Sequence, residues 1–268
     1  MKLPFSEWRR TRKLMGEPFP DAWRAILAAH VPHWRYLDGE ERLVLEEYTL
    51  LLVADKRWEA SRGFTLTDEI RVTIAGQAAL LILAIGFDAY RNVGSIIVHP
   101  TTMKLKGQRA GPARGTVVDA PIPVLGVAHY QGPVIVAWDS VLAGARHPEH
   151  GHNVVYHEFA HKLDMLDDVI DGTPPIAVQE QMQRWVDVCT AEYEALRAGN
   201  GDFLRTYAAV NPAEFFAVAT EAFFDIPVEM ETAKPDLYGV LRDFYRQDPA
   251  QRVRSFTNSP PERGPVSK

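Results

Sequence analysis

The stretch Gly151-His152-Asn153-Val154-Val155-Tyr156-His157-Glu158-Phe159-Ala160-His161-Lys162-Leu163-Asp164-Met165 decides how the rest of this chain is read. Val154, Val155, Tyr156, Phe159 and Leu163 form an amphipathic helical pattern, in which His157 and His161 stand four apart, one turn above the other on a single face. Two imidazoles so placed offer nitrogens to one metal ion. Glu158 follows the first histidine by about 100° of helical rotation. It therefore stands beside such an ion and not among its ligands, where a carboxylate takes a proton from an attacking water. Zinc suits imidazole donors and a tetrahedral site with one open position, where it polarises a carbonyl for attack.

A catalytic zinc of this kind takes three protein ligands. No histidine follows His161 in the sequence, so a carboxylate must complete the set. The helical stretch from Asn211 to Phe224 supplies candidates, with Asn211 as its N-cap and Pro212 in its first turn. Glu214 and Glu221 lie seven apart on one face of this otherwise apolar helix, and either is a candidate. Glu221 has a rival claim, because Asp225, four residues on, could be its supporting carboxylate.

Upstream, three helical patterns suggest a layer of helices: one from Asp21 to His30, one from Asp38 through Trp58, and one from Thr67 to Gly86. Ser95–His99 and Val134–Trp138 are short β-branched runs and read as strands. Between them, Gly107–Gly132 reads as turns with one or two brief strands around Thr116–Val118 and Val124–Val127. Helices resume at His157–Met165, Ala177–Arg197, Pro212–Phe224 and Asp236–Arg246. Strands grouped between helices, without regular alternation, imply an α+β fold. Trp185 and Tyr193 read as core, Cys189 as an inert helix-borne thiol, and His150 and His152 as solvated loop residues in preference to a second metal site.

The composition sets limits. The 268 residues are 46% hydrophobic and 24% charged, enough for a sizeable core. A net charge of -6 argues against a generally basic surface, so direct nucleic-acid binding is not expected. A single cysteine forms no intramolecular disulfide. Met1–Glu7 carries charges and a proline where a signal peptide needs apolar residues, and the apolar run Ala78–Ile85 is too short to span a bilayer. A cytoplasmic location without membrane association is the expectation.

The run Gly151–Asp167 resembles the zinc-site helix of the Mlc titration factor A family of zinc metallopeptidases. Tyr207 followed by Asn211-Pro212-Ala213-Glu214-Phe215-Phe216-Ala217-Val218 resembles that family's second signature. Leu66–Ala75, Gly132-Pro133-Val134 with Trp138-Asp139, and Asp243–Pro249 are similar as well, so the likeness runs from about residue 20 to 252. The catalytic region is also similar to that of the anthrax lethal factor protease, in which a tyrosine stands seven residues before the glutamate ligand, as Tyr207 does before Glu214.

The resemblance implies one zinc ion per chain held by His157, His161 and Glu214, with Glu158 as general base and Tyr207 as donor to the oxyanion. It implies a zincin-like catalytic core over residues 91–252; the helical stretches mark 1–90 as an N-terminal helical layer, and Pro260, Pro261 and Pro265 mark 253–268 as a flexible tail, all in one compact unit. The implied activity is peptide hydrolysis, aminopeptidase-like and linked to regulation of glucose phosphotransferase genes, on a peptide or protein substrate. The alternative it implies is a non-catalytic protein that sequesters a Mlc-like repressor. The sequence departs from the lethal-factor pattern at Val218, where that helix carries a further glutamate. Support behind the ligands must come from elsewhere, with Asp164 the candidate and Glu221 a supporting or structural residue.

Overall fold

The structure, a computed structural model, describes residues 18–61, 63–110, 117–124, 132–201 and 203–258. Three helices open it: α1 (Asp21–His30), α2 (Gly39–Asp55) and α3 (Asp68–Leu81). Asp38 caps α2 by accepting from the Glu41 N–H while the Glu41 carboxylate accepts from the Asp38 N–H, a reciprocal capping box. Thr67 caps α3 through its hydroxyl, which accepts from the Ile70 N–H. From Val72 to Leu81 every residue of α3 is buried. Burial on every face marks a helix enclosed on all sides, with the polar Gln77 side chain donating to the His30 carbonyl, and α3 packs against α1, α2 and the histidine-bearing helix.

The α+β expectation is met. Strands β1 (Arg57–Ala60), β2 (Ser95–His99) and β5 (Val134–Ala137) form a parallel sheet in the order β1-β2-β5, and β3 (Met103–Ala110) pairs antiparallel with β4 (Val117–Val124). Two local expectations are corrected. The helix read through Trp58 ends at Asp55, and Trp58 pairs with Ile96 in β1. A lone four-residue strand is invisible to periodicity when the run before it is apolar and helical. Trp138, read as the end of a strand, opens α4 (Trp138–Arg146). The brief strands read near Thr116–Val118 and Val124–Val127 are one strand, β4, and their outer residues lie outside the described ones.

After α4 come α5 (Val154–Asp164), α6 (Gln179–Arg197), α7 (Pro212–Asp225), α8 (Pro227–Ala233), α9 (Pro235–Tyr245) and α10 (Pro249–Asn258). Helix α10 carries order past Arg252, where a tail was expected, and residues 259–268 lie outside the described ones. The Arg252 guanidinium pairs with Glu41 of α2, and Gln247 donates to the Leu80 and Leu81 carbonyls at the end of α3. The C-terminal helices thereby close over the first layer. Under α7 lies an aromatic cluster of Phe216, Phe223, Phe224, Tyr245 and Trp185, with Thr220 and Tyr245 hydroxyls 2.8 Å apart. No helix among the described residues is long and apolar enough to cross a membrane.

One buried histidine ties the first layer to α7. The His33 Nε2–H donates to the Phe224 carbonyl, and burial pushes its imidazole down to about 4. An unfolded chain protonates His33 near 6.5 while the folded one does not, so stability is fully present above 6.5 and falls as pH drops towards 4. The loss amounts to about 3 kcal/mol. Asp164 and Asp225, whose carboxyls burial raises, act in the opposite direction. The expected signature is therefore a difference: His33→Gln, whose amide can still donate to Phe224, should remove one proton's worth of slope from the urea-unfolding free energy between pH 6.5 and 4.

Candidate metal centre

Helices α5 and α7 pack face to face, and their facing residues build the site. Asn153 starts α5, its side-chain oxygen accepting from the Val155 and Tyr156 N–H groups at 3.0 and 3.2 Å. Asn211 starts α7 by accepting from the Glu214 N–H at 2.9 Å, with Pro212 in the first turn. Ten of the eleven residues of α5 are buried, because α3, α7 and β5 surround it. Lys162, on the same helix, reaches the Gly132 carbonyl beside the start of β5 at 2.9 Å.

Three donor atoms converge. The His157 and His161 Nε2 atoms are 3.2 Å apart, and Glu214 Oε2 lies 3.0 Å from the first and 3.6 Å from the second. Donors at 2.0–2.1 Å from a tetrahedral ion stand about 3.3–3.4 Å from one another. All three edges fall near that value, so the residues fit zinc. Their electrostatics agree. Burial works against a charge on His157, but Glu214 and Glu221 outweigh it and lift the imidazolium to about 10. Burial alone would raise the Glu214 carboxyl, yet the two imidazoles hold it well below the usual carboxylate range. The pocket demands positive charge, which a divalent ion supplies better than a proton.

Glu158 lies beside this triad, 2% exposed, with its Oε2 lacking a hydrogen-bond partner among the described residues. Burial lifts its carboxyl to about 7, His157 opposes that, and the Glu214 and Glu221 charges reinforce it. A carboxylate of that basicity is suited to accepting a proton near neutrality. Tyr207 sits on the single turn Thr206–Ala209, partly exposed, its ring centroid 6.0 Å from that of His157. The structure thus brings together all five residues singled out from the sequence.

The support behind the ligands departs from expectation at Asp164 and meets it at Glu221. Asp164 accepts from the Gly172 N–H and is not the partner of His157. That role belongs to Glu221, fully buried, whose Oε1 accepts from His157 Nδ1–H at 2.8 Å. Its Oε2 accepts from the Asn153 N–H at 2.7 Å, and Arg205 pairs with Oε1. The seven-residue spacing explains this: Glu214 and Glu221 are two turns apart on one face of α7, and His157 lies between them, with Nε2 towards Glu214 and Nδ1 towards Glu221. Fixing the proton on Nδ1 leaves the Nε2 lone pair for a metal. Arg205 was not found from sequence, because nothing in a lone arginine two residues before Tyr207 signals a distant carboxylate.

Gly172 holds the two helices in register. Its N–H is bound by Asp164 at the end of α5, its φ is +79°, and a Cβ built there would stand 2.2 Å from the Pro212 carbonyl oxygen. Backbone strain and a backbone clash act together at Gly172→Ala. We expect a loss of about 2–3 kcal/mol in unfolding free energy, seen as a lowered melting temperature, because α7 must move away from α5. A melting temperature equal to wild type contradicts this. Cys189, largely enclosed on α6, has its thiol pushed up to about 12 by burial and is unreactive, as expected.

Two imidazoles and a carboxylate around one point, beside a buried glutamate on an H-E-x-x-H helix, form a group that could hold a metal ion, in a mostly helical zincin-like fold. The chain belongs to the family described as Glucose-regulated metallo-peptidase M90, which it matches over residues 5–246. It is 35% identical to the uncharacterized protein slr2042 of Synechocystis sp., across 91% of this chain and 90% of that protein. It is 30% identical to the Mlc titration factor A of Pectobacterium atrosepticum, across 91% and 92%. To the protein of that name in Edwardsiella ictaluri it is 29% identical, across 92% and 94%.

Proposed function

We propose that this protein is a zinc-dependent peptidase in which His157, His161 and Glu214 hold one zinc ion. The observation that carries the reading is the near-tetrahedral spacing of those three donor atoms beside a buried, raised carboxyl. Zinc bound there supplies a Lewis acid that polarises the scissile carbonyl and makes water more acidic. Glu158 accepts the water's proton and then delivers it to the leaving amine. Tyr207, at the mouth of the site, donates its phenolic hydrogen to the carbonyl oxygen as charge develops there. The outer edge of β5 is unpaired among the described residues and lies next to α5, so its backbone can hold an extended peptide across the site.

The substrates we infer are peptides or protein ends, cleaved in an aminopeptidase-like manner in the cytoplasm. The glucose-regulated description of the family and the name of its relatives favour a second role, capture of a Mlc-like repressor. The two separate by mutation, since capture alone does not need the Glu158 carboxylate.

The test is zinc content together with hydrolysis of a mixed set of fluorogenic peptides. About one zinc per chain is expected, with activity that a chelator reduces to background and that added zinc restores. Protein that purifies without metal from zinc-replete medium, or activity indifferent to chelation, would falsify the assignment.

A further inference from the structure

A second group of metal-ligating side chains lies outside this centre. The turn Pro148–His150 is a short 3-10 helix preceded by His147, so the sequence His147-Pro148-Glu149-His150 places two histidines three apart. In a 3-10 helix residues three apart eclipse one another. The two imidazoles accordingly stack, centroids 5.3 Å apart and planes inclined by 17°. Glu149 lies against both: its Oε1 is 3.1 Å from His147 Nδ1 and 3.9 Å from His150 Nε2. One donor atom from each residue falls within 4.8 Å of the others, so rotation of exposed side chains suffices to close the set around one ion.

We propose that His147, Glu149 and His150 form a second, weaker site for a late first-row divalent cation such as Zn2+, Ni2+ or Cu2+. Two imidazoles and one carboxylate match the preferences of these ions and not those of Mg2+ or Ca2+. The site is weaker than the buried centre for a physical reason. Its three side chains are 56–68% exposed, so solvent competes with their mutual contacts and they must be ordered on binding, whereas the fully buried Glu221 holds His157 in place beforehand. His152, considered from sequence, is not part of it: its Nε2 lies 4.0 Å from Glu221 Oε2, on the side of the buried centre.

The position gives the second ion a consequence. The turn joins the end of α4 to the N-cap of α5 through Gly151, held at φ +59° against Ile226. Two residues further on, the Asn153 N–H is bound by the carboxylate that orients His157. An ion bridging His147 and His150 staples the segment leading into the zinc helix, and free metal concentration becomes an input to its stability. This inference does not depend on the peptidase reading.

The experiment is equilibrium dialysis of the full chain against buffered free zinc raised into the micromolar range, with bound zinc counted in wild type and in His147→Ala/His150→Ala. The exposure of both residues leaves folding intact, which circular dichroism checks. Two equivalents in wild type and one in the double variant is the expected result. One in wild type and none in the variant also supports the surface site, and instead removes the buried ligand assignment. Equal numbers in the two proteins, whether two, one or none, overturn the proposal. A wild-type melting temperature that rises with the second equivalent, and does so only when His147 and His150 are present, is the expected companion reading.

Discussion

Glu158→Gln should abolish peptide hydrolysis while leaving zinc content at about one per chain. The amide keeps the shape of the carboxylate and touches none of the three proposed ligands, so metal binding has no reason to change. What is lost is the lone acceptor for a proton at that position. Removal of a general base costs typically 10²–10⁴-fold in rate, and the expectation here is towards the larger loss, because Glu158 is enclosed and no second carboxylate can approach the same water. Glu221 is committed to His157, Asn153 and Arg205, and Glu214 faces the two imidazoles. The wild-type rate should fall as pH drops through the Glu158 titration, since only the carboxylate accepts. That titration lies below about 7 once a bound cation favours the charged form. A variant that retained zinc and more than a tenth of wild-type kcat would remove Glu158 from the mechanism.

Glu221→Gln should weaken zinc binding without touching a ligand. In the wild type both oxygens of Glu221 accept, one from His157 and Arg205 and the other from the start of α5. An amide presents one acceptor and one donor, so either the His157 N–H or the Asn153 N–H faces another donor. If the imidazole turns, its Nε2 leaves the point shared with His161 and Glu214. Loss of such an orienting contact costs typically 10–100-fold in metal affinity. Competition with a chromophoric chelator measures it directly, and the melting temperature of metal-free protein separates a general loss of stability from a specific one. An unchanged dissociation constant would mean that packing alone holds His157. Because Arg205 stands two residues before Tyr207, the same variant should also loosen the turn that carries the phenol, lowering kcat of whatever fraction remains loaded.

The two predictions depend on the sequence to different degrees. Glu158 was assigned from its place between two histidines on a helix, a local relation fixed by 3.6 residues per turn wherever the helix lies. Glu214 required more: spacing left it level with Glu221, and the likeness to known metallopeptidases favoured it. In the folded chain both turn out to contact His157, from opposite sides, so the ambiguity in the sequence had a physical source. Two carboxylates two turns apart on one helix face are equivalent until the partner helix is placed against them. Asp164 was misjudged for the same reason. It shares a helix with the histidines, but the glycine that it binds comes from a loop whose path local rules do not give.

By itself, then, the sequence determined most of the helices, though not α4, α8 or α10, the cap at Asn211, and the face of α5 that carries His157 and His161 with Glu158 beside them. Each follows from neighbours within a turn or two, where backbone geometry leaves few choices. Only the tertiary structure decided that a short strand at Arg57–Ala60 joins the sheet, that Glu221 with Arg205 orients His157, and that Gly172 keeps α7 in register with α5. Those depend on contacts between residues tens of positions apart, selected by packing and by the need of buried polar groups for partners. Neither leaves a periodic trace along the chain.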